Sequence, residues 1–131
     1  DYVEMQWLML QQEIPEDFVI ATGRMETVRR FIEIAAKELG WGKGNKGIGI
    51  IWKGAGLKEI GIRADKDKVV VRIDPRYFRP TEVEELLGDP TKAKTKLGWE
   101  PRITLEELIK DMIKNDLSLS KNEKQIKQKL F

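Results

Sequence analysis

Only one strand-turn-helix unit can be read from this chain, and that excludes the commonest α/β architectures. Phe18-Val19-Ile20-Ala21 is a short unbroken apolar run of the kind a buried strand carries, and Thr22-Gly23 ends it. The helix that follows spans 27–39, with Val28, Phe31, Ile32, Ala35 and Leu39 on its inner face and Gly40 closing it. This order is that of a single α/β unit. A doubly wound sheet needs several parallel strands, and 131 residues with one such unit cannot supply them.

The rest of the chain must therefore build its structure differently. Residues 2–12 read as a helix with Val3, Trp7 and Leu10 on one stripe, broadened by Met5, Leu8 and Met9. So wide an apolar surface on a short helix predicts burial on several sides. Beyond the glycine-rich loop at 42–47, strand candidates at 48–52, 60–62 and 69–73 surround the polar turn 65–68 and predict a small sheet or hairpin. Three helix starts follow. Thr81 with Glu84 forms a capping box, Asp89-Pro90 opens a helix that ends at Gly98, and Thr104 with Glu107 opens the last one. Leu105, Leu108, Ile109, Met112 and Ile113 are the expected core face of that last helix. The expected class is mixed α/β, with one domain over 1–117 and a polar tail at 118–131 that frays.

Charge and missing residue types narrow the function by exclusion. A net charge of +2, with 35% of residues charged, lacks the basic excess of a nucleic-acid binder. The chain contains no cysteine and no histidine, which removes disulfides, thiolate zinc sites, the commonest general base and the commonest transition-metal ligand. No metal site is expected. No apolar run reaches membrane-spanning length and no signal sequence is visible, so a cytoplasmic protein without a membrane partner is the expectation.

Two motifs compete for a phosphate. Gly42-Lys43-Gly44-Asn45-Lys46-Gly47 fits G-x-G-x-x-G, but it follows a helix and precedes a strand, so a pyrophosphate would meet no helix N-terminus. It is read as a flexible loop. The second motif is Asp74-Pro75-Arg76-Tyr77-Phe78-Arg79-Pro80-Thr81-Glu82-Val83-Glu84, between a strand and a short acidic helix. Arg79 stands just ahead of a helix N-terminus, where partial positive charge disfavours a cation unless an anion shares the site. A guanidinium can give two parallel N–H bonds to a diphosphate, and the Glu82 carboxylate can accept from vicinal hydroxyls such as a ribose presents. A surface Arg79/Glu82 ion pair accounts for the pattern equally well. Arg72 and Arg76 read as solvated, Tyr77 and Phe78 as packing, Trp52 and Trp99 as core or interface anchors. Thr22-Gly23 reads as a turn at least as readily as a ligand contact, and Lys92, Lys94 and Lys96 as a solvated face rather than a phosphate patch.

These strings resemble the C-terminal part of the GDP-mannose 4,6-dehydratase family, within the extended short-chain dehydrogenase/reductase group. The resemblance is carried by residues 1–12, 17–23, 74–84, 87–94 and 97–99, and is weak in the loop at 42–47 and after 117. It implies that Arg79 contacts the diphosphate of GDP-mannose and Glu82 the ribose. It further implies NADP as cofactor, a homo-oligomeric assembly, and a chain comprising the substrate-binding region with the last strand-helix unit of a Rossmann sheet. One departure is Thr27-Val28-Arg29-Arg30, where the family has Ser-Val-Arg-Glu; threonine can still cap the helix, but the capping-box carboxylate is lost. The family's chemistry needs a Tyr-x-x-x-Lys pair, and four residues after Tyr2 and Tyr77 stand Gln6 and Thr81. No catalytic and no cofactor-binding residue is therefore assigned, and the chain by itself is expected to be inactive. The first residue is Asp1 rather than methionine, which fits the later part of something larger. A non-enzymatic nucleotide-sugar binding or oligomerisation module is the competing reading.

Overall fold

The structure, a computed structural model, describes residues 1–79 and 85–129, with side chains described as far as residue 125. The helices are α1 (Tyr2–Leu10), α2 (Val28–Glu38), α3 (Thr91–Leu97) and α4 (Leu105–Lys129). The strands are β1 (Ile50–Lys53), β2 (Ile60–Arg63) and β3 (Lys68–Arg72). The mixed α/β class is as expected. The chain divides into two units, one of Asp1–Glu26 with Thr81–Thr104 and the other of Thr27–Pro80 with Leu105–Phe131.

The first unit is organised around Met5 of α1. Met5, Ala93 and Trp99 form its buried cluster, with Leu8, Met9, Phe18, Ile20 and Leu97 packed against them. Trp99 is the anchor its sequence context suggested: the ring is buried and its Nε1 donates to the Asp1 carbonyl at 3.0 Å. The Asp1 carboxylate accepts from the backbone N–H groups of Arg102 and Ile103, both at 2.8 Å. α3 begins one residue later than expected, with Pro90 rather than Asp89 at its N-cap, and the Asp89 Oδ1 accepts from the Thr91 N–H at 2.9 Å from one position before the cap. Gly98 ends α3 in the left-handed region, with φ of 64°.

The run at 18–21 is not a strand. It joins no ladder among the described residues, because a strand exists only where a second backbone accepts its hydrogen bonds. Instead Phe18 and Ile20 turn toward the Met5 cluster, and Val19 is left half-exposed.

In the second unit, Thr27 caps α2 alone, its Oγ1 accepting from the Arg30 N–H at 3.0 Å. At the other end Gly40, with φ of 74°, allows the Gly40 and Trp41 N–H groups to bond back to the Lys37 and Ala36 carbonyls at 2.9 and 3.0 Å. The buried face of α2 differs from the expected one. Ile34 and Ala36 are buried, Phe31, Ile32, Ala35 and Leu39 are half-buried, and Val28 is exposed. The cause is that α2 packs against both α4 and β1, so its covered surface is wider than one stripe and shifted toward the strand. Gly49 makes this approach possible: a Cβ there would lie 2.8 Å from the Ala36 Cβ.

The sheet is antiparallel in the order β1-β2-β3. Gly61 pairs with Val71 and Ile62 with Val69, so Val70 is an extra residue and makes a bulge. The loop at 42–47, expected to be flexible, closes on itself: the Gly42 carbonyl accepts from the Asn45 and Gly47 N–H groups at 3.1 and 3.3 Å. In α4 the inner stripe is Leu105, Ile109 and Ile113, and Leu108 and Met112 are exposed. The polar tail also departs from expectation, since α4 remains helical to Lys129. Its Lys, Glu and Gln residues are good helix formers that need no core contact to hold this backbone.

Candidate functional site

β3 delivers the chain from the sheet to Ile73, and Asp74 then turns it. The Asp74 Oδ1 accepts from the Arg76 N–H at 3.0 Å, which starts a single 3-10 turn at Pro75–Tyr77. Proline fits the first position of that turn because its φ is already set and no N–H is lost. The turn is closed by the Tyr77 and Phe78 N–H groups, donating to the Asp74 and Pro75 carbonyls at 3.1 and 3.3 Å. Phe78 is extended, and Arg79 follows it with an exposed side chain.

The three arginines of this segment are not equivalent. The Arg76 guanidinium is tied to its own turn, with Nη2 donating to Asp74 Oδ2 at 2.6 Å and Nε to Oδ1 at 3.1 Å. That contact, and behind it the Arg76 backbone N–H, holds the Asp74 carboxyl below the ordinary carboxylate range. The same guanidinium lies 5.6 Å from the Tyr77 ring centroid. Arg76 is therefore charge-compensated before any ligand arrives. Arg72 is exposed at the end of β3, as its solvated reading required.

Sequence reasoning placed Arg79 and Glu82 together. Arg79 falls on the described chain, while Glu82, like Pro80 and the Thr81/Glu84 capping box, lies outside the described residues. Tyr77 and Phe78, expected to pack, are 78% and 53% exposed. A single 3-10 turn offers two large rings no second surface to lie on.

The other candidates resolve into structural contacts. Lys92 and Lys96 both reach Glu16, at 2.9 and 2.7 Å, and Lys94 pairs with Glu100. Each of the three lysines thus already faces a carboxylate, which disfavours a phosphate patch. Thr22 and Arg24 form a local turn, the Thr22 Oγ1 lying 3.3 Å from the Arg24 N–H that donates to it. Trp52 is an anchor of the second unit: its Nε1 donates to Glu33 at 3.0 Å, and the Arg29 guanidinium covers its ring at 4.3 Å while binding both Glu59 oxygens.

The Asp74–Arg76 pairing was missed in the sequence, although Asp followed by Pro with a donor two residues on is a readable signal. The loop at 42–47 joins the C-terminal end of α2 to β1, as read. Its Gly42 carbonyl points into the loop, and no helix begins there.

Comparison with known proteins gives this arrangement a context. A family model described as GDP-mannose 4,6 dehydratase matches residues 1–112. A GDP-mannose 4,6-dehydratase of Yersinia enterocolitica is 50% identical over 141 aligned residues, covering 100% of this chain and 36% of that protein. A Vibrio cholerae protein of the same name is 54% identical, with 92% of this chain and 33% of the relative covered. The human GDP-mannose 4,6 dehydratase is 46% identical over 91% of this chain and 30% of its own length. The chain spans about a third of the length of these curated relatives.

Proposed function

The chain belongs to the GDP-mannose 4,6-dehydratase family, and on that premise we propose that it supplies the nucleotide-sugar recognition segment of such a dehydratase. The activity served is conversion of GDP-mannose to GDP-4-keto-6-deoxymannose, a lyase step toward GDP-fucose, in a cytoplasmic homo-oligomer. Arg79 binds the diphosphate and Glu82 the ribose hydroxyls. The observation that supports this reading is the place of Arg79, exposed at the end of the segment that leaves the Asp74–Tyr77 turn. An exposed guanidinium gives a fork of N–H donors that matches two phosphate oxygens.

The family's cofactor, NADP, is not accommodated by the described residues. The only glycine pattern of the dinucleotide type closes on its own Gly42 carbonyl between a helix end and a strand, where a pyrophosphate would find neither free N–H groups in a row nor a helix dipole. No catalytic step is assigned to this chain, which lacks a Tyr-x-x-x-Lys pair, and it is inactive alone.

The test is calorimetric titration of GDP into the purified chain and its variants. Losing a charge-assisted bidentate contact costs about 1.5–3 kcal/mol, so Arg79→Ala weakens binding roughly ten- to a hundredfold. Arg76→Ala changes it little. Equal losses from both variants would mean a diffuse electrostatic attraction and defeat the assignment. Keto-sugar formation by the isolated chain with NADP and GDP-mannose would defeat the claim of inactivity.

A further inference from the structure

α4 leaves a line of apolar side chains uncovered along its second half. Leu105, Ile109 and Ile113 are the stripe it turns inward, but from 114 to 125 every side chain is exposed. Propensity accounts for a helical backbone there and not for apolar residues within it. Met112 and Leu119, seven residues apart, are 43% and 53% exposed, and Ile126 takes the next place in the same register. Asn115 and Asn122 fall between them, at the alternating spacing of three and four that a helix seam has. A repeat of seven holds residues on one line when a helix winds against another helix.

Charge selects the occupant. Residues 105–116 carry Glu106, Glu107, Asp111 and Asp116 against two lysines, and residues 117–129 carry Lys121, Lys124, Lys127 and Lys129 against the single Glu123. The helix dipole favours this order only within the first and last turns, whereas Asp111, Asp116, Lys121 and Lys124 lie further in. The segregation is self-complementary when a second α4 runs the opposite way, acidic half facing basic half twice about one two-fold axis. A parallel copy would set lysine against lysine. An anionic membrane surface calls for basic charge along the whole polar face, which the carboxylates of the first half oppose. The family-model match ends at residue 112, so nearly all of this line lies outside the matched residues.

We propose that residues 112–126 of α4 pair antiparallel with the same face of a second copy of this chain. Position a of one seam then lies beside position d of the other. Met112 enters the space between the partner's Leu119 and the partner's Ile126, and Leu119 enters that between the partner's Met112 and the partner's Leu119. The asparagines fix the register and weaken the seam, so the contact is reversible. The proposal gives a surface to the homo-oligomer of the function proposed above and rests on that part of the reading, not on Arg79.

The experiment is sedimentation equilibrium of the full chain over a range of concentrations, where a reversible dimer is expected. Leu119→Asp weakens that dimer by roughly tenfold or more, as loss of a central apolar anchor does. Leu117→Asp, the same change at a side chain 45% exposed on the other side of the helix, leaves it unchanged. Direction is read by disulfides, because the chain has no cysteine of its own. Met112→Cys and Asn122→Cys, placed in separate chains and oxidised as a mixture, are expected to join the two different chains. This second measurement decides the matter even where Leu119→Asp loses helix by circular dichroism. Disulfides only between like chains overturn the proposal, as do a monomer at every concentration and equal losses from the two aspartate variants. Sedimentation of the chain with phosphatidylserine vesicles in the absence of any dimer overturns it too. A dimer indifferent to Leu119→Asp overturns this surface and leaves a homo-oligomer standing. Titration of GDP into Leu119→Asp, expected to match the parent chain, reads the nucleotide site separately.

Discussion

Asp74 and Arg76, two residues apart, neutralise one another in a tight turn, with Nη2 2.6 Å from Oδ2 and the Arg76 N–H on Oδ1 at 3.0 Å. This pair compensates the Arg76 charge within its own turn. Asp74→Asn keeps an oxygen for the backbone N–H but removes the charge that compensates Arg76. GDP affinity is expected to rise a few-fold at low ionic strength. The gain should vanish in high salt, where exposed charges are screened within a few ångströms. Titrations at two salt concentrations check this. A loss of affinity at low salt would show that the turn geometry, not its charge, matters.

The close approach of Gly49 to α2 sets a stability prediction. With the Ala36 Cβ only 2.8 Å and its carbonyl carbon 2.9 Å from the added atom, Gly49→Ala forces strand and helix apart. Overpacking of this kind costs about 1–3 kcal/mol. Urea denaturation should show a lowered midpoint with little change in slope, while Gly44→Ala, whose Cβ meets no atom within 4 Å but whose φ is 82°, reports strain alone.

Ile109 and Leu108 separate core from surface on α4. Ile109 is 1% exposed and Leu108 46%. Ile109→Ala is expected to cost about 2–5 kcal/mol, and Leu108→Ala to stay within about 0.5 kcal/mol. Equal losses would mean that Leu108 is covered in solution.

Acid should weaken the protein through its paired carboxylates. Glu16 is held below its ordinary range first by the Lys96 hydrogen bond and then by that of Lys92. Asp65 is lowered by Arg63, Asp74 by Arg76, Asp89 by Thr91 and Glu100 by Lys94. A folded pKa below the unfolded one means that the unfolded chain binds more protons between the two values. The stabilisation is thus fully present above the ordinary carboxylate range and is lost as pH falls through it to the lower folded values. Denaturation midpoints should be flat near neutrality and decline in that acid window. Glu16→Gln should shrink the decline, and an unchanged profile would show that the Glu16 pairs contribute nothing in solution.

What the amino-acid sequence determined by itself was local. Thr27, Asp89, Gly40 and Gly98 sit where their side chains or their tolerance of positive φ start and stop helices, and the last helix opens directly after Thr104. Such signals act within a few residues, so they need no knowledge of the rest of the fold. The Asp74-Pro75-Arg76 turn belongs to the same class, although the sequence reading passed over it. Tertiary structure alone decided which faces were buried. Val28 was expected inside and is exposed, and Ile34 was passed over and is buried, because α2 answers to both α4 and β1. It likewise decided that 18–21 remains unpaired in any ladder among the described residues, while 60–63 gains neighbours on both sides. Burial and strand pairing are properties of two surfaces, and one stretch of sequence specifies only one of them.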